Sequence, residues 1–522
     1  MNIGSVLTET AARSPDVAAL IAGDVRRSYA EFNERANRLA SALEQLGVGR
    51  GDRVAILQRN GAELLETLFA TFKAGAVTVP IGSRLHHKEY RYIIEDSGAR
   101  VVVFTAEFAA GLDGVRAEIG GGVEHFVCIG GGADWAEDYE ELLARGDAAH
   151  VDVDTAPDDV CWLFYTSGTT GRPKGAMVTH ANLAFMTEHY PREVYRLQPD
   201  DVVLHAGPLT HGGGLWAVPV TAGGGTHLIS TSPSFSPEHI FQLIQRQRVT
   251  KIAFIAPTMI TMLLNAPTID QYDLSSLRFI GYGGSTMYVE DLKRALHRFG
   301  PIFCQIYGQG ESPMTIAMLS REQHAEALRS ENEHRLASAG TPRADIELAV
   351  LDAQDRPLPP DEIGEIALRG DVVMKGYLNK PDATEEAFRN GWYHTGDLGK
   401  IDRDGYVYLL DRLKEMIITG GANVYPREVE EVLLLHPAVL EVAVVGVPDR
   451  LWGESVLAAV RLRPGAHAIE DELLALCRDH LAGYKKPRYI RFLDDLPKNG
   501  VGKIMKRALK DRFARELVEA VS

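Results

Sequence analysis

Apolar and polar positions change period repeatedly along the first part of the chain. Tyr29 to Leu46 place apolar side chains at helical spacing, Arg53 to Leu57 form a short apolar run, Ala62 to Ala74 return to helical spacing, and Ala76 to Pro80 are apolar again. The pattern predicts helix, strand, helix and strand in turn, an alternation that favours a largely parallel sheet. It recurs later, with strands expected over Val202 to Gly207, Lys251 to Ile255 and Phe279 to Tyr282, and helices over Pro237 to Arg246 and Thr258 to Leu264. Two stacked α/β lobes are therefore expected within roughly the first 400 residues.

Between Gly340 and Leu410 the texture shifts to short runs of period two, such as Ile346 to Leu351 and Glu365 to Arg369, separated by turn residues. A small β-barrel module fits that texture. After Asp411 to Lys414 come a predicted helix (Pro426 to Leu435), an apolar strand (Val439 to Val447) and a final helix (Lys503 to Ala520). These form a compact unit of about a hundred residues, enough for a separate C-terminal domain. The fold class expected is α/β: a large N-terminal domain of two lobes plus the β module, then a small α+β C-terminal domain. Glycine clusters at 120–122, 130–131, 212–214 and 223–225 are read as loops.

Composition narrows the function. The 522-residue chain exceeds what one core usually organises. It is 45% hydrophobic and 24% charged, ordinary for a soluble globular protein. A formal net charge of −16 disfavours a general nucleic-acid or anionic-membrane binder, so any phosphate site must be local. Met1 to Pro15 has neither a basic n-region nor a sustained apolar h-region, and no uncharged run reaches membrane-spanning length. No stable membrane insertion is expected, and a cytoplasmic enzyme fits. Cys128, Cys161, Cys304 and Cys477 are far apart and read as reduced core residues.

The segment Tyr165-Thr-Ser-Gly-Thr-Thr-Gly-Arg-Pro-Lys-Gly175 carries the first chemistry. Its glycines let backbone N–H groups approach phosphate oxygens, Thr166, Ser167, Thr169 and Thr170 add hydroxyl donors, and Lys174 adds a mobile positive charge. A nucleotide is the ligand this composition suits. The common P-loop closes with Lys-Ser/Thr, whereas here Pro173 precedes the lysine and Gly175 follows it, so a different nucleotide fold is implied.

Together with that segment, Tyr307-Gly-Gln-Gly-Glu311, Gly364 to Gly370, Gly391-Trp-Tyr-His-Thr-Gly-Asp397, Asp411 to Ile417, Gly420 to Pro426 and Gly502-Lys503 follow in one order. In this the chain resembles the adenylate-forming enzymes: acyl-CoA synthetases, non-ribosomal peptide adenylation domains and beetle luciferases. The resemblance spans nearly the whole chain and implies an AMP-binding domain over 1–411, a hinge at 412–414 and a mobile C-terminal domain over 415–522. It implies ATP, Mg²⁺ and CoA as ligands. Thr166, Ser167, Gly168, Thr169, Thr170 and Lys174 would hold the β- and γ-phosphates, and Glu311, with Thr166, would help hold Mg²⁺. Tyr307, Gly308, Gln309 and Gly310 belong to the nucleotide-binding set, Tyr307 against the adenine face and Gly283 and Gly284 allowing backbone approach on the other side. Asp397 and Arg412 would grip the ribose hydroxyls.

The resemblance makes Lys503 the leading catalytic residue, steadying charge on the carboxylate and α-phosphate, with Glu311 and His211 beside it. Lys506 and Lys510 read as solvated surface charges. Lys414 sits at the hinge position, and Gly420 and Gly421 would leave room for a pantetheine chain. Lys485, Lys486 and Arg488 are candidates for CoA phosphates or a solvated basic patch. The family usually has a threonine where this chain has Gly310, leaving Gln309 or a backbone N–H to compensate. His211, Gly212, Gly213, Gly214, Phe185, Thr258, Gly283 and Met314 would line the acid pocket; the three glycines either deepen it or form a turn before a helix over Leu215 to Val220. No acidic side chain stands where amino-acid-activating relatives hold an ammonium, so a fatty, branched or aryl acid is favoured.

The function implied is acid activation by ATP followed by transfer to CoA. The alternative is a stand-alone adenylating enzyme that delivers the acyl group to a carrier protein or another acceptor, including an amine or an activated oxyanion. A nucleotide-binding scaffold without turnover is disfavoured, because Lys503, Glu311, Asp397 and Arg412 are all present. A monomer or a homodimer suits either reading.

Overall fold

The computed structural model describes residues 2–119, 122–166, 172–285, 287–329, 332–413, 415–419, 422–499 and 502–519. Two parallel-dominated sheets form the large N-terminal domain. The first runs Glu137–Asp138, His125–Ile129, Val101–Thr105, Arg53–Leu57, Val77–Pro80, Val160–Thr166, Lys174–Thr179, all parallel except the last pair. The second has nine strands, and its parallel centre is Phe303–Tyr307, Phe279–Gly283, Lys251–Ile255, Val202–His205, Thr226–Ile229 and Ala18–Ala22. The hairpin Ala18–Ala22 and Val25–Ser28, which precedes the first lobe in sequence, adds to this second sheet. The two lobes are thus laced together by the N-terminal segment.

The helix Ala62–Lys73 shows why both sheets are needed. It is buried on every face, and Phe69 and Phe72 share one core with Trp162 of the first sheet and Leu20 of the second. A helix buried on every face lies between layers, and its buried Glu66 and Lys73 are paired with Arg35 and Asp152. By contrast Tyr29–Gln45 is amphipathic, and it opens on a Ser28 capping box in which Ser28 Oγ accepts from Glu31 N–H and Glu31 accepts from Ser28 N–H.

The β module is a five-stranded antiparallel sheet: Glu347–Leu351, Gly364–Arg369, Trp392–Ile401, Phe388–Arg389, with Val407–Arg412 also on Trp392–Ile401. Among the described residues its ladders do not close, so the expected barrel is an open sheet; Phe388–Arg389 is too short to carry the ladder round.

In the small C-terminal domain, Val439–Asp449 and Gly453–Leu462 form the central pair. Alternate residues face opposite sides. Val442 and Val444 pack with Val429, Leu433, Leu473 and Cys477 from two helices, while Ala443, Val445 and Val447 pack with Leu509 and Phe513 of the last helix. Burying each such leucine or phenylalanine contributes about 1.5–3 kcal/mol. The last helix spans Lys506–Glu519, so Lys503 lies before it and not at its start. All four cysteines are buried and free.

Candidate active site

Strands Val160–Thr166 and Lys174–Thr179 pair antiparallel with Thr166 opposite Lys174, so the glycine-rich segment is a hairpin connection. Ser167, Gly168, Thr169 and Thr170 lie outside the described residues. Tyr165 fastens the base of the hairpin by donating to Asp96 at 2.8 Å.

The parallel strand Phe303–Tyr307 runs out into Gly308 to Met314 at its carboxyl end, where open α/β sheets bind ligands. A Cβ on Gly308 would lie 2.7 Å from Met314 backbone atoms, and Gln309 and Ser312 exchange backbone hydrogen bonds, so this loop is tight. It presents Glu311, whose Oε1 accepts the Thr166 hydroxyl at 3.0 Å and the Tyr377 hydroxyl at 2.9 Å.

Asp397 on Trp392–Ile401 stands opposite Arg412 on Val407–Arg412. Arg412 Nε lies 2.8 Å from Asp397 Oδ1. The other carboxylate oxygen accepts the Tyr307 hydroxyl at 2.6 Å and the Gln309 amide at 2.7 Å, and Tyr393 donates to Gln309 Oε1 at 2.8 Å. Burial first, then the Asp397 charge, pushes the Tyr307 phenol well up, so it stays a donor. The Asp397 charge also holds Arg412 firmly protonated.

Lys503 reaches this cluster from the small domain. Asn499 N–H donates to Lys503 O at 2.8 Å and Lys503 N–H donates back to Asn499 Oδ1 at 2.9 Å, closing a turn. Gly502 in that turn has φ +84°, and a Cβ there would lie 3.0 Å from Thr258 Oγ1 on the large domain's helix Pro257–Asn265. Lys503 itself is exposed. Crowding by the surrounding protein and then the Arg412 charge lower its pKa from the ordinary lysine value, against the pull of Glu415 and Asp397.

His211 faces Lys503 electrostatically. Crowding by the surrounding protein, then the Lys503 charge, holds its pKa down to about 4, so the ring is neutral near pH 7. Its Nδ1 accepts from Gly212 N–H at 2.7 Å, which puts the ring proton on Nε2. Phe164 packs edge-on against it, with centroids 5.1 Å apart.

Several expectations need correction. Gly212 to Leu215 is helical with His211 at its N-cap, and a second helix runs Ala217–Ala222, so the glycines are not a loop. A Cβ on Gly213 would meet Pro208 O at 2.8 Å and one on Gly214 would meet Leu209 O at 2.0 Å, so those two glycines serve close backbone packing and do not deepen a pocket. Gly283 is required by Ile306 O, 2.2 Å from an added Cβ, while Gly284 supplies a left-handed φ of +77°. Lys506 is no solvated surface charge: it pairs with Glu430 at 3.0 Å, Asp411 at 3.3 Å and Glu415 at 3.8 Å. Lys510 is a half-exposed partner of Glu454. Lys485 and Arg488 already hold Glu428 and Asp449. Lys414, Gly420 and Gly421 lie outside the described residues.

Of the expected pocket residues, Phe185 stacks on His189 with centroids 4.1 Å apart, and Met314 takes a left-handed φ of +55°. Arg343, buried and paired with Glu193 at 2.5 Å, donates to Met314 O at 2.6 Å. Sequence reasoning missed Arg343, Tyr377 and Tyr393. Tyr393 at least lies inside the Gly391 to Asp397 motif, whereas Tyr377 and Arg343 stand in turn-rich stretches with no periodic signal.

The fold and this geometry have known counterparts. The AMP-binding enzyme family matches residues 7–378, and the AMP-binding enzyme C-terminal domain matches residues 428–503. A feruloyl-CoA synthase of Amycolatopsis sp is 40% identical over 513 residues, 98% of this chain and 99% of that one. The crystal structure of the anthranilate CoA ligase AuaEII in complex with anthranoyl-AMP superposes with a TM-score of 0.91 at 27% identity, covering 100% of this chain and 98% of that one. The amide bond synthetase McbA from Marinactinospora thermotolerans superposes with a TM-score of 0.88 at 28% identity, covering 98% of this chain and 100% of its own. With both parts of the family matched in order across the chain, this protein belongs to the AMP-binding enzyme family, the adenylate-forming superfamily.

Proposed function

We propose that this enzyme is an ATP-dependent carboxylic acid–CoA ligase acting on a fatty, branched or aryl acid, with the aryl class favoured by the feruloyl and anthranilate relatives. The observation that carries the reading is the Asp397–Arg412 pair at 2.8 Å with the Lys503 turn of the small domain seated against the large one, a Cβ on Gly502 lying 3.0 Å from Thr258 Oγ1. In the first half-reaction a substrate carboxylate oxygen attacks the α-phosphate of ATP, forming an acyl–O–P bond as the bond to pyrophosphate breaks. Lys503 steadies the negative charge that passes to the leaving pyrophosphate, and moves no proton. Asp397 and Arg412 hold the ribose, Tyr307 orients Asp397 and lies along the adenine, and Thr166 and Lys174 receive the phosphates. His211, neutral with its proton on Nε2, offers a donor beside the acid carboxylate.

Mg²⁺ fits this site as an ion carried on the triphosphate. No group of three or more His, Cys, Asp or Glu among the described residues could hold a metal alone. Glu311 with Thr166 is a donor pair of the kind Mg²⁺ uses together with substrate phosphates. The ion supplies neutralisation of phosphate charge.

In the second half-reaction the CoA sulfur attacks the acyl carbonyl, AMP leaves and the thiol proton passes to solvent. Lys503 has no part in that step, so the domains 1–411 and 415–522 turn about 412–414 between the two halves. The amide bond synthetase neighbour keeps an amine in view as a second acceptor, and a carrier-protein thiol is the other alternative to CoA. No described helix is long and apolar enough to cross a membrane. The charge balance suits a cytoplasmic enzyme working as a monomer or homodimer.

Pyrophosphate release with ATP, Mg²⁺ and a panel of aliphatic, aryl and amino acids, with and without CoA, tests the reading. CoA-dependent release with one acid class is expected. Lys503→Ala should lower adenylate formation by about 10²–10³-fold, the scale of a lost transition-state charge contact, with ATP affinity nearly unchanged. Release with no acid at all, or wild-type rates in that variant, would sink it.

A further inference from the structure

Tyr377 touches both charged residues proposed to meet the triphosphate, and nothing above gives it a role. Its hydroxyl donates to Glu311 Oε1 at 2.9 Å, the same oxygen that accepts Thr166. Its ring carries Lys174 on one face, with Nζ 4.0 Å from the centroid. The ring is buried, 8% exposed. Lys174 forms no ion pair among the described residues.

The backbone around Tyr377 is fixed to both partners. Met374 N–H donates to Glu311 O at 2.8 Å. Lys375 N–H donates to Met177 O, Met177 N–H to Gly376 O and Leu378 N–H to Gly175 O, each at 2.9 Å, so this segment lies beside the strand that begins with Lys174. Gly376 has φ +141°, and a Cβ there would meet Thr384 Cγ2 at 2.8 Å; the Thr384 hydroxyl in turn accepts Tyr377 N–H at 2.9 Å. Register, a glycine and a threonine cap thus leave the ring little freedom.

We infer that Tyr377 is a positioning residue that keeps Lys174 and Glu311 apart and poised for the triphosphate and its Mg²⁺. A lysine and a carboxylate this close to one ring would gain by closing into a direct ion pair when no nucleotide is bound, and the nucleotide would then have to break it. The quadrupole of the ring holds the cation on its face while the hydroxyl satisfies the carboxylate edge, so each charge has a partner that competes weakly with phosphate or magnesium. The inference rests on the proposed roles of Lys174 and Glu311.

Calorimetric titration of ATP into wild type, Tyr377→Phe and Tyr377→Leu, each in Mg²⁺ and in EDTA, separates the two contacts. Tyr377→Phe keeps the ring and should bind ATP within about twofold of wild type in EDTA, yet lose about 5–10-fold of the Mg²⁺ enhancement, the scale of one hydrogen bond to a charged group. Tyr377→Leu should lose that enhancement and a further 2–5-fold or so in EDTA, because Lys174 loses its ring. Equal losses in the two buffers for Tyr377→Phe, or none in either, would overturn the inference. That variant alone decides the matter if Tyr377→Leu does not fold. Glu311→Gln and Lys174→Ala serve as controls: if the first leaves the Mg²⁺ enhancement intact and the second leaves ATP affinity intact, the roles of Glu311 and Lys174 fail, and not the inference alone.

Discussion

A Cβ on Gly310 would lie 2.4 Å from Phe164 Cδ1 and 2.9 Å from Thr166 Cγ2, so the side chain missing at position 310 has been replaced in space by the Phe164 ring. The family's usual threonine could not stand here without moving that ring, and the ring is wedged against His211 and Trp162. A side chain at 310 and the Phe164 ring thus compete for one space although the two residues are distant in sequence. Gly310→Thr should destabilise the protein by about 1–3 kcal/mol through overpacking. Phe164→Ala should cost about 3–5 kcal/mol through the cavity it leaves. In the double variant the threonine fills part of that cavity, so its loss should fall short of the summed single losses by at least 1 kcal/mol or so. Urea denaturation of the four proteins measures this, and additivity within about 0.5 kcal/mol would separate the two residues. The glycine itself was legible as a departure in the sequence. Its cause was not, because contacts between residues 146 positions apart leave no local pattern.

Sequence periodicity starts the final helix at Lys503, whereas the helix spans Lys506–Glu519. Period alone does not place the boundary to the residue; the bonds between Asn499 and Lys503, together with the left-handed Gly502, keep Lys503 outside the helix. The N-terminal hairpin was not legible in the sequence, and its place in the second sheet depends on pairing Leu20 with His227. Strands and amphipathic helices, by contrast, were legible nearly to the residue, as Arg53–Leu57 and Lys251–Ile255 show, because their burial is set by neighbours along the same element. At the head of the last helix, burial works against the Lys506 charge, but Glu430, Asp411 and Glu415 outweigh it and raise its pKa. One lysine thus ties the final helix to the helix Pro426–Leu434 and to the end of the large domain's last strand. Lys506→Gln should leave three neighbouring carboxylates without their cation and cost on the order of 2–3 kcal/mol, less than a fully buried pair because the side chain is 18% exposed. Chemical denaturation reads this directly. A loss below about 0.5 kcal/mol would return Lys506 to the class of ordinary surface charges.

Across the whole molecule, histidines are held neutral by burial in both lobes of the large domain. His205 Nε2 lies 3.0 Å from His227 Nδ1, and His227 Nε2 lies 3.0 Å from the Thr221 hydroxyl, a chain beneath the helix that His211 caps. His324 faces the Tyr282 hydroxyl at 2.9 Å, and His180 Nδ1 accepts Ile3 N–H at 3.1 Å, anchoring the N-terminal segment. Burial lowers His180, His205 and His324 to about 4, and lowers His227 further below the usual value with His205 adding to the effect. In the unfolded chain each would titrate near 6.5. The unfolded state therefore takes up protons between pH 6.5 and about 4 that the folded state refuses, so stability rises with pH through that window and is lost on acidification. Each such histidine contributes a slope of up to about 1.4 kcal/mol per pH unit. Denaturation midpoints should thus fall steadily from pH 6.5 to 5, above the range where most carboxylates begin to protonate. His324→Gln should make that fall shallower by roughly one histidine's share, whatever its own effect at pH 7.5. A wild-type stability that stays flat from pH 7 to 5 would mean that these histidines take up protons in the fold as well, with partners that accept from both ring nitrogens. The ring pairs at His205 and His324 would then have to be reassigned as charged contacts, because a neutral buried imidazole cannot avoid this proton linkage.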